Sequence, residues 1–161
     1  MKKIILSLII GLIVGAALMG LFVWKKMPSL MLQVVKSRYD FETTVSMLEE
    51  ASYQNEWEVL HIYDMGDCLF SEGFDDQLLK ITILSICQPD YSYHILQDDE
   101  NRKIAAIMPC RIGVYEDSRG DVYLTRMNIK LFSKMFSGTI GEIMTLVAED
   151  DAKISADIME E

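Results

Sequence analysis

The 161-residue chain is poor in the residue types from which several large functional classes are built. It has three cysteines, Cys68, Cys87 and Cys110, too few for a disulfide-built scaffold and an odd number, so at least one is unpaired. No CxxC pair occurs, so the close thiolate spacing of structural zinc sites is missing, and there is no CxxCH for covalent haem. The two histidines, His61 and His94, form no HExxH and no paired ligand spacing. Neither a phosphate-binding GxxxxGK[ST] loop nor a dinucleotide GxGxxG is present. Ser118 and Ser137 have no glycine elbow around them, which removes support for a nucleophilic serine. Basic residues are also scarce. Four of the 15 lie at the N-terminus, at Lys2, Lys3, Lys25 and Lys26, leaving 11 against 25 acidic residues and a formal charge of −14 on the remainder. Such a body is a poor partner for nucleic-acid phosphate and for anionic lipid.

What the chain does have is a long apolar run. Residues 4–24 contain no charged residue and no Asn, Gln, His or Pro. At about 1.5 Å per residue, a helix of this length reaches roughly 30 Å, the thickness of a bilayer's hydrocarbon core. Trp24 then falls at headgroup depth, with Lys25 and Lys26 beyond it. A cleaved signal peptide is the alternative, since Val14-Gly15-Ala16 has cleavage-type spacing after a basic start. Cutting after Ala16 would leave Leu21-Phe22-Val23-Trp24 on a greasy mature terminus, so an uncleaved single-pass anchor over residues 1–26 is the expectation. The three residues before the run favour a cell-membrane signal anchor with its body, residues 27–161, on the extracytoplasmic side. Gly11 and Gly15 make a GxxxG spacing, which places two small residues on one helix face and permits close helix pairing.

The body alternates between two periods. Met27-Pro28-Ser29 reads as a break and residues 30–35 as a strand. Asp40 is a plausible N-cap for a helix carrying Phe41, Val45, Leu48 and Ser52. Residues 57–64 alternate as a strand expected to be buried on both faces, and 78–87 as a third strand with Ile81, Ile83 and Ser85 on one face. Pro89 opens a short helix, and residues 98–101 read as an exposed turn. Residues 110–116 and 121–127 form a hairpin about Asp117-Ser118-Arg119-Gly120. Asn128 caps a helix through Phe136, and residues 140–159 form a final amphipathic helix. This order predicts a single two-layer α/β (α+β) domain. Its sheet is five-stranded, mixed or antiparallel, and covered by helices on one side.

Residues with chemical potential are few. Cys87 closes one strand and Cys110 opens another, each beside a proline, so the two thiols are expected to face one interior region with Cys68 apart. Three readings stay open for them: small buried hydrophobes, a disulfide, or a thiolate metal or haem site. Met65, Met108 and Met127 together with His94 would suit reduced copper, although methionine is frequent throughout, with 11 residues. No cofactor is otherwise expected. Arg111, Arg119 and Arg126 could cluster about the hairpin as a small-anion site. Asp98-Asp99-Glu100 and Glu149-Asp150-Asp151 read as solvated surface, with weak calcium binding as their only chemistry.

Cys87-Gln88-Pro89, the later run from Met108-Pro109-Cys110 through Arg111-Ile112-Gly113-Val114-Tyr115-Glu116, then Gly120 and Asn128, together resemble the domain of unknown function 302 family. The resemblance covers about residues 32–148. It implies a compact α/β domain with an antiparallel-rich sheet, often a homodimer, and brings no substrate or reaction. Gln88 departs from the Asn usual in that family, and a longer amide caps a backbone turn less directly. The functional expectation is a membrane-anchored accessory or interaction subunit, with other membrane subunits or a second copy as partner. The alternative is an extracytoplasmic thiol, copper or haem protein built on Cys87 and Cys110.

Overall fold

The structure, a computed structural model, describes residues 2–74 and 80–160, with side chains from residue 9 onward. Leu78 and Leu79, expected to begin the third strand, lie outside the described residues, as does the side chain of each N-terminal lysine, Lys2 and Lys3. The chain divides into two units at Met31.

The first unit is a single helix, α1 (Lys2–Met31). Its segment Ile9–Met31, 23 residues, is long and apolar enough to cross a membrane. The expected break at Met27-Pro28-Ser29 is absent, because the helix runs through Pro28 to Met31. Proline removes one i→i−4 hydrogen bond, and the hydroxyl of Ser29 donates to the carbonyl of Lys26 at 2.8 Å in the same turn. A Cβ on Gly11 or Gly15 would meet nothing within 4 Å, so both present open space.

The second unit, Leu32–Glu161, is an α+β domain. Its elements are β1 (Leu32–Lys36), α2 (Phe41–Gln54), β2 (Glu58–Asp64), α3 (Met65–Ser71), β3 (Ile81–Cys87), α4 (Pro89–Leu96), a 3₁₀ stretch (Asp99–Ile107), β4 (Cys110–Glu116), β5 (Val122–Met127), α5 (Ile129–Ser133) and α6 (Gly138–Ser155). The strands form one five-stranded sheet in the order β1-β5-β4-β3-β2. Every pairing is antiparallel.

Local chemistry starts these elements where side-chain oxygens can satisfy orphan helix N–H groups. Asp40 accepts from the N–H of Thr43 at 2.9 Å, Asp64 from that of Asp67 at 2.9 Å, and Asn128 from that of Leu131 at 3.0 Å. Gln88, despite its length, accepts from the N–H of Tyr91 at 2.9 Å, with Pro89 at the first helical position. The β4–β5 hairpin turns at Gly120, whose φ of +84° is in the region that favours glycine. Gly113 permits a close approach within the sheet, since a Cβ there would meet Cγ2 of Thr125 at 2.9 Å.

The pleat sends alternate residues to opposite faces. Leu84 and Ile86 of β3, Ile112 and Val114 of β4, and Val122 and Leu124 of β5 are buried with Leu48 of α2 and with Met144, Val147 and Ile154 of α6. Each fully buried Leu or Ile of this kind contributes roughly 1.5–3 kcal/mol. The opposite face carries Ile81, Ile83, Tyr115, Tyr123 and Met127, none of them fully buried, with Tyr115 and Tyr123 stacked at 5.3 Å.

Within the domain, α5 ends at Ser133, short of the expected Phe136, and three further elements differ from the sequence-based expectation. β2 is an edge strand, not a strand buried on both faces: a register shift between Val59 and His61 breaks its alternation, and Leu60 is 57% exposed. Residues 98–101 lead into the 3₁₀ stretch, started by Asp98 accepting from the N–H of Glu100 at 3.0 Å and anchored by buried Ile104. The last helix begins at Gly138 and ends at Ser155, short of Met159. The chain then pairs with the edge of β1 through the Ser37–Met159 bridge and the bond from Glu160 N–H to the Lys36 carbonyl at 2.9 Å.

Candidate functional site

The chemistry-bearing side chains of the domain gather where β4 begins and β5 ends, beneath α6. In the β3–β4 ladder Ile86 lies directly opposite Cys110, which places Cys87 one residue along from that pair. Both cysteines line a small cavity of about 30 Å³, together with Trp57, Tyr91 and Met108. They are free, as is Cys68, which sits exposed on α3 away from them. Cys87 Sγ is 3.1 Å from the hydroxyl of Ser92. Burial pushes the Cys110 thiol up to about 12, and the negative charge of Asp151 and then Cys87 push the same way. Cys110 is therefore a protonated thiol at neutral pH, the reverse of the electropositive setting that makes a cysteine reactive.

A larger cavity of about 370 Å³ adjoins this one and shares Trp57, Ile86, Pro109, Cys110 and Val147 with it. Its lining is mostly apolar and draws on both faces of β4; Arg126 and Asp151 are its buried charged residues. These two form an ion pair, with Nε of Arg126 3.2 Å from Oδ2 of Asp151 and side chains 7% and 12% exposed. The guanidinium also donates to Gln33 Oε1 and to the Asp151 carbonyl, each at 3.4 Å. A further contact joins it to Met159 Sδ at 3.5 Å. Burial pushes the Asp151 carboxyl up to about 6, against the downward pull of Arg126.

The neighbouring carboxylate behaves differently. Asp150 Oδ2 accepts from the Tyr91 hydroxyl at 3.0 Å and from the Trp57 indole at 3.4 Å, and Oδ1 accepts from Lys153 at 2.7 Å. Burial raises Asp150, but the bonds from Lys153, Tyr91 and Trp57 outweigh it and hold the carboxyl below its ordinary value. Burial first, and then Asp150, raise the Tyr91 phenol. Trp57 and Tyr91 meet edge to face at 6.2 Å, so this polar group packs against the wall of the small cavity.

Several expected groupings are taken apart. The run Glu149-Asp150-Asp151 is not a uniform solvated surface, because Asp151 is buried and Asp150 half-buried while Glu149 is exposed. The second acidic run is surface, with Asp99 paired to Arg102 at 2.7 Å. The three arginines do not cluster: Arg126 points into the helix-covered face, Arg111 is exposed on the strand next to it, and Arg119 sits in the hairpin turn bound to Asp117. Alternation along a strand and the length of the hairpin separate them. Met108 lines the small cavity, Met127 belongs to the other face of the sheet, and His94 is exposed beside Tyr93, so the sulfur and imidazole ligands proposed for copper are not brought together. Met65 opens α3, and His61 meets Tyr63 edge to face at 4.4 Å. Among the described residues no three His, Cys, Asp or Glu side chains converge as a metal-ligand set.

Asp151 and Arg126 went unrecognised as a buried pair in the sequence, yet a signal for each exists. Ile140, Met144, Val147, Asp151, Ile154 and Ile158 recur at spacings of four and three, so Asp151 takes a place on the apolar stripe of α6. Val122, Leu124 and Arg126 alternate along β5, which turns Arg126 toward the same core.

No protein of curated function matches the sequence. The domain is similar to a solved structure described as an uncharacterized conserved protein DUF302 from Bacillus stearothermophilus, with a TM-score of 0.66 and 22% identity, over 80% of this chain and 96% of that one. Residues 33–160 match the family described as Domain of unknown function DUF302, reaching past the residues 32–148 over which the motifs themselves suggest a likeness. That match takes in Cys87, Pro89, Pro109, Cys110, Asn128 and all five strands but the first residue of β1, and the chain belongs to the DUF302 family.

Proposed function

We propose that the protein is a membrane-anchored accessory module. In this reading α1 tethers the domain to the cell membrane, and the acidic domain lies on the extracytoplasmic side and engages another subunit of a membrane complex. The observation that carries the reading is the 23-residue segment Ile9–Met31, exposed along its length and uncharged up to Lys25, a composition whose stable surroundings are hydrocarbon. Further support comes from the candidate site. Arg126 and Asp151 satisfy each other, and the Cys110 thiol is protonated, an arrangement suited to holding structure more than to turning over a substrate. Gly11 and Gly15 would let α1 pack closely on a partner helix or on a second copy.

The test is fractionation of cells producing the full chain. The protein is expected to stay with membranes through a high-salt wash, and its intact mass is expected to include residues 1–24. A mature chain beginning near Ala17 would overturn the anchor. A reporter fused after Glu161 should be active only outside the cytoplasm; activity of a cytoplasm-only reporter there would reverse the orientation.

The alternative, a thiol or soft-metal protein, draws on one observation, that Cys87 and Cys110 line the same cavity.

A further inference from the structure

We propose that Cys87 and Cys110 close reversibly into a disulfide that ties the end of β3 to the start of β4, making a dithiol redox site inside this domain. The inference does not depend on which side of a membrane the domain occupies.

The placement comes from the ladder. Ile86 and Cys110 are directly opposed, which in an antiparallel pair sets their Cα atoms about 4.5–5.5 Å apart. Cys87 is one rise of about 3.3 Å further along, so the diagonal to Cys110 is roughly 6 Å. Disulfides span Cα separations of about 4.4–6.8 Å. In an unbroken ladder the pleat would send the two thiols to opposite faces. Cys87, however, is the last residue of β3, and the chain turns into α4 immediately after Gln88. Its thiol contacts Ser92 on that helix, Cys87 and Cys110 line the same 30 Å³ cavity, and Cys87 is near enough to act electrostatically on the Cys110 thiol. Pro89 and Pro109, on the two segments that meet there, hold the strand ends in place. Cys68 is exposed on α3 and takes no part.

The two thiols differ in surroundings, which sets the order of events: burial and the charge of Asp151 hold Cys110 protonated, while Cys87 lies beside the Ser92 hydroxyl. Cys87, with the Ser92 hydroxyl beside it, is the attacking thiol. As a thiolate it attacks one sulfur of an external disulfide, a small-molecule or protein disulfide. That S–S bond breaks, the first leaving thiolate takes up a proton, and Cys87 is left in a mixed disulfide. Cys110 then loses its proton and attacks the Cys87 sulfur, expelling the second thiol. Two S–H bonds are oxidised to one S–S bond while the external disulfide is reduced to two thiols, so electrons and protons balance. The high pKa of the buried Cys110 makes this second step the slow one, quickening as pH rises.

Tryptic cleavage separates the three cysteines, since Cys68 falls in residues 39–80, Cys87 in 81–102 and Cys110 in 104–111. The full chain in detergent is incubated with oxidised glutathione, blocked by alkylation, digested and analysed by mass spectrometry. The expected product is peptide 81–102 linked to peptide 104–111, with Cys68 outside the link and both thiols restored by dithiothreitol. In Cys110→Ser, Cys87 should instead retain the glutathione adduct. Should that variant fail to fold, Cys87→Ala should leave Cys110 unlinked. The proposal is overturned if wild-type Cys87 remains as a glutathione adduct with Cys110 alkylated, if Cys87 links to Cys68, or if neither Cys87 nor Cys110 is oxidised by excess oxidised glutathione. Membrane association is not read in this assay, so its outcome is separate from that of the anchor.

Discussion

The β4–β5 hairpin carries an arginine–aspartate pair at each end, and the two pairs obey different physics. At the turn, Arg119 lies 2.9 Å from Asp117, with the arginine side chain 71% exposed. At the opposite end Arg126 meets Asp151 at 3.2 Å with both side chains nearly buried. Asp117 is held below its ordinary pKa while Asp151 is pushed up to about 6. The same two side-chain types, at similar separations, give opposite shifts because the hydrogen bonds Asp117 accepts from Arg119 and Asp121 outweigh its partial burial, whereas the much deeper burial of Asp151 is opposed only by the charge of Arg126. Proximity of opposite charges therefore says little about stability until burial is known. The end of the hairpin at which solvent is absent is also the end where the cavity and the paired cysteines lie.

The largest effect should come from breaking the buried pair on one side only. Arg126→Met leaves the Asp151 carboxylate enclosed without its partner, and is expected to destabilise the domain by about 3–5 kcal/mol. Combining it with Asp151→Leu should recover most of that loss, since an apolar pair of similar volume needs no compensation for desolvation. Urea unfolding of the two variants measures both. A single Arg126→Met variant as stable as wild type would mean that water reaches Asp151 and that the two ends of the hairpin are alike.

That buried pair was legible in the sequence only through pattern, and residue chemistry argued against the pattern. A run of three acidic residues at positions 149–151 reads as solvated, yet the spacing of Val147 and Ile154 leaves position 151 no other direction than inward. Signals carried by single residues were plain: Asp40 and Asn128 as caps, Pro89 at a first helical turn, and the hairpin glycine, all found as expected. A five-stranded sheet, mixed or antiparallel, followed from the order of strands and from the resemblance to the family, and the pairing itself is antiparallel throughout. The strand at 58–64 was harder, because Leu60 and Tyr63 have the composition of a central strand and only the pairing order places them at an edge. The helix that continues through Pro28 likewise depends on neighbouring bonds that composition does not encode. In the site, Cys87 and Cys110 were visible beside their prolines, but the carboxylate near them was not.

A second, smaller effect concerns pH. Asp151 has a folded pKa of about 6 against an ordinary value of about 3.9 when unfolded. Between these values the unfolded chain has released the proton that the folded domain still holds, so rising pH favours unfolding. The contribution of Asp151 is thus most favourable below about pH 4 and declines to a plateau above about pH 6, a change of up to roughly 3 kcal/mol for a two-unit shift. Asp151→Asn has no such proton. The stability of wild type minus that of Asp151→Asn should fall as pH is raised from about 4 to 7. A difference that grows over this interval would show that attraction to Arg126 outweighs burial, and the buried pair would then behave as the surface pair does.

The smallest effects belong to the turn, and there the carboxylate should matter more than the arginine. Asp117 Oδ1 accepts from the backbone N–H of Arg119 at 2.9 Å and from that of Asp121 at 3.0 Å, so it holds the loop as well as the guanidinium. Partial desolvation raises its pKa, but these two bonds and the contact with Arg119 pull it down on balance. Arg119 donates to the same residue from the solvent side, where an exposed pair is worth little and ordering a long side chain opposes it. Arg119→Ala should hardly move the unfolding midpoint, whereas Asp117→Ala should lower it measurably through the lost backbone bonds. The sign with pH is the reverse of that for Asp151. A carboxylate with a depressed pKa stabilises above its unfolded pKa, and this contribution is lost as pH falls through the folded value. The gap between wild type and Asp117→Ala should therefore narrow on acidification below about pH 4, over a range in which Asp151 is already protonated in the folded domain. Thermal unfolding of the two turn variants at neutral and acid pH checks this. Equal losses from Arg119→Ala and Asp117→Ala at neutral pH would assign the turn's stability to the ion pair, and solvent exposure would no longer be what distinguishes the two ends of the hairpin.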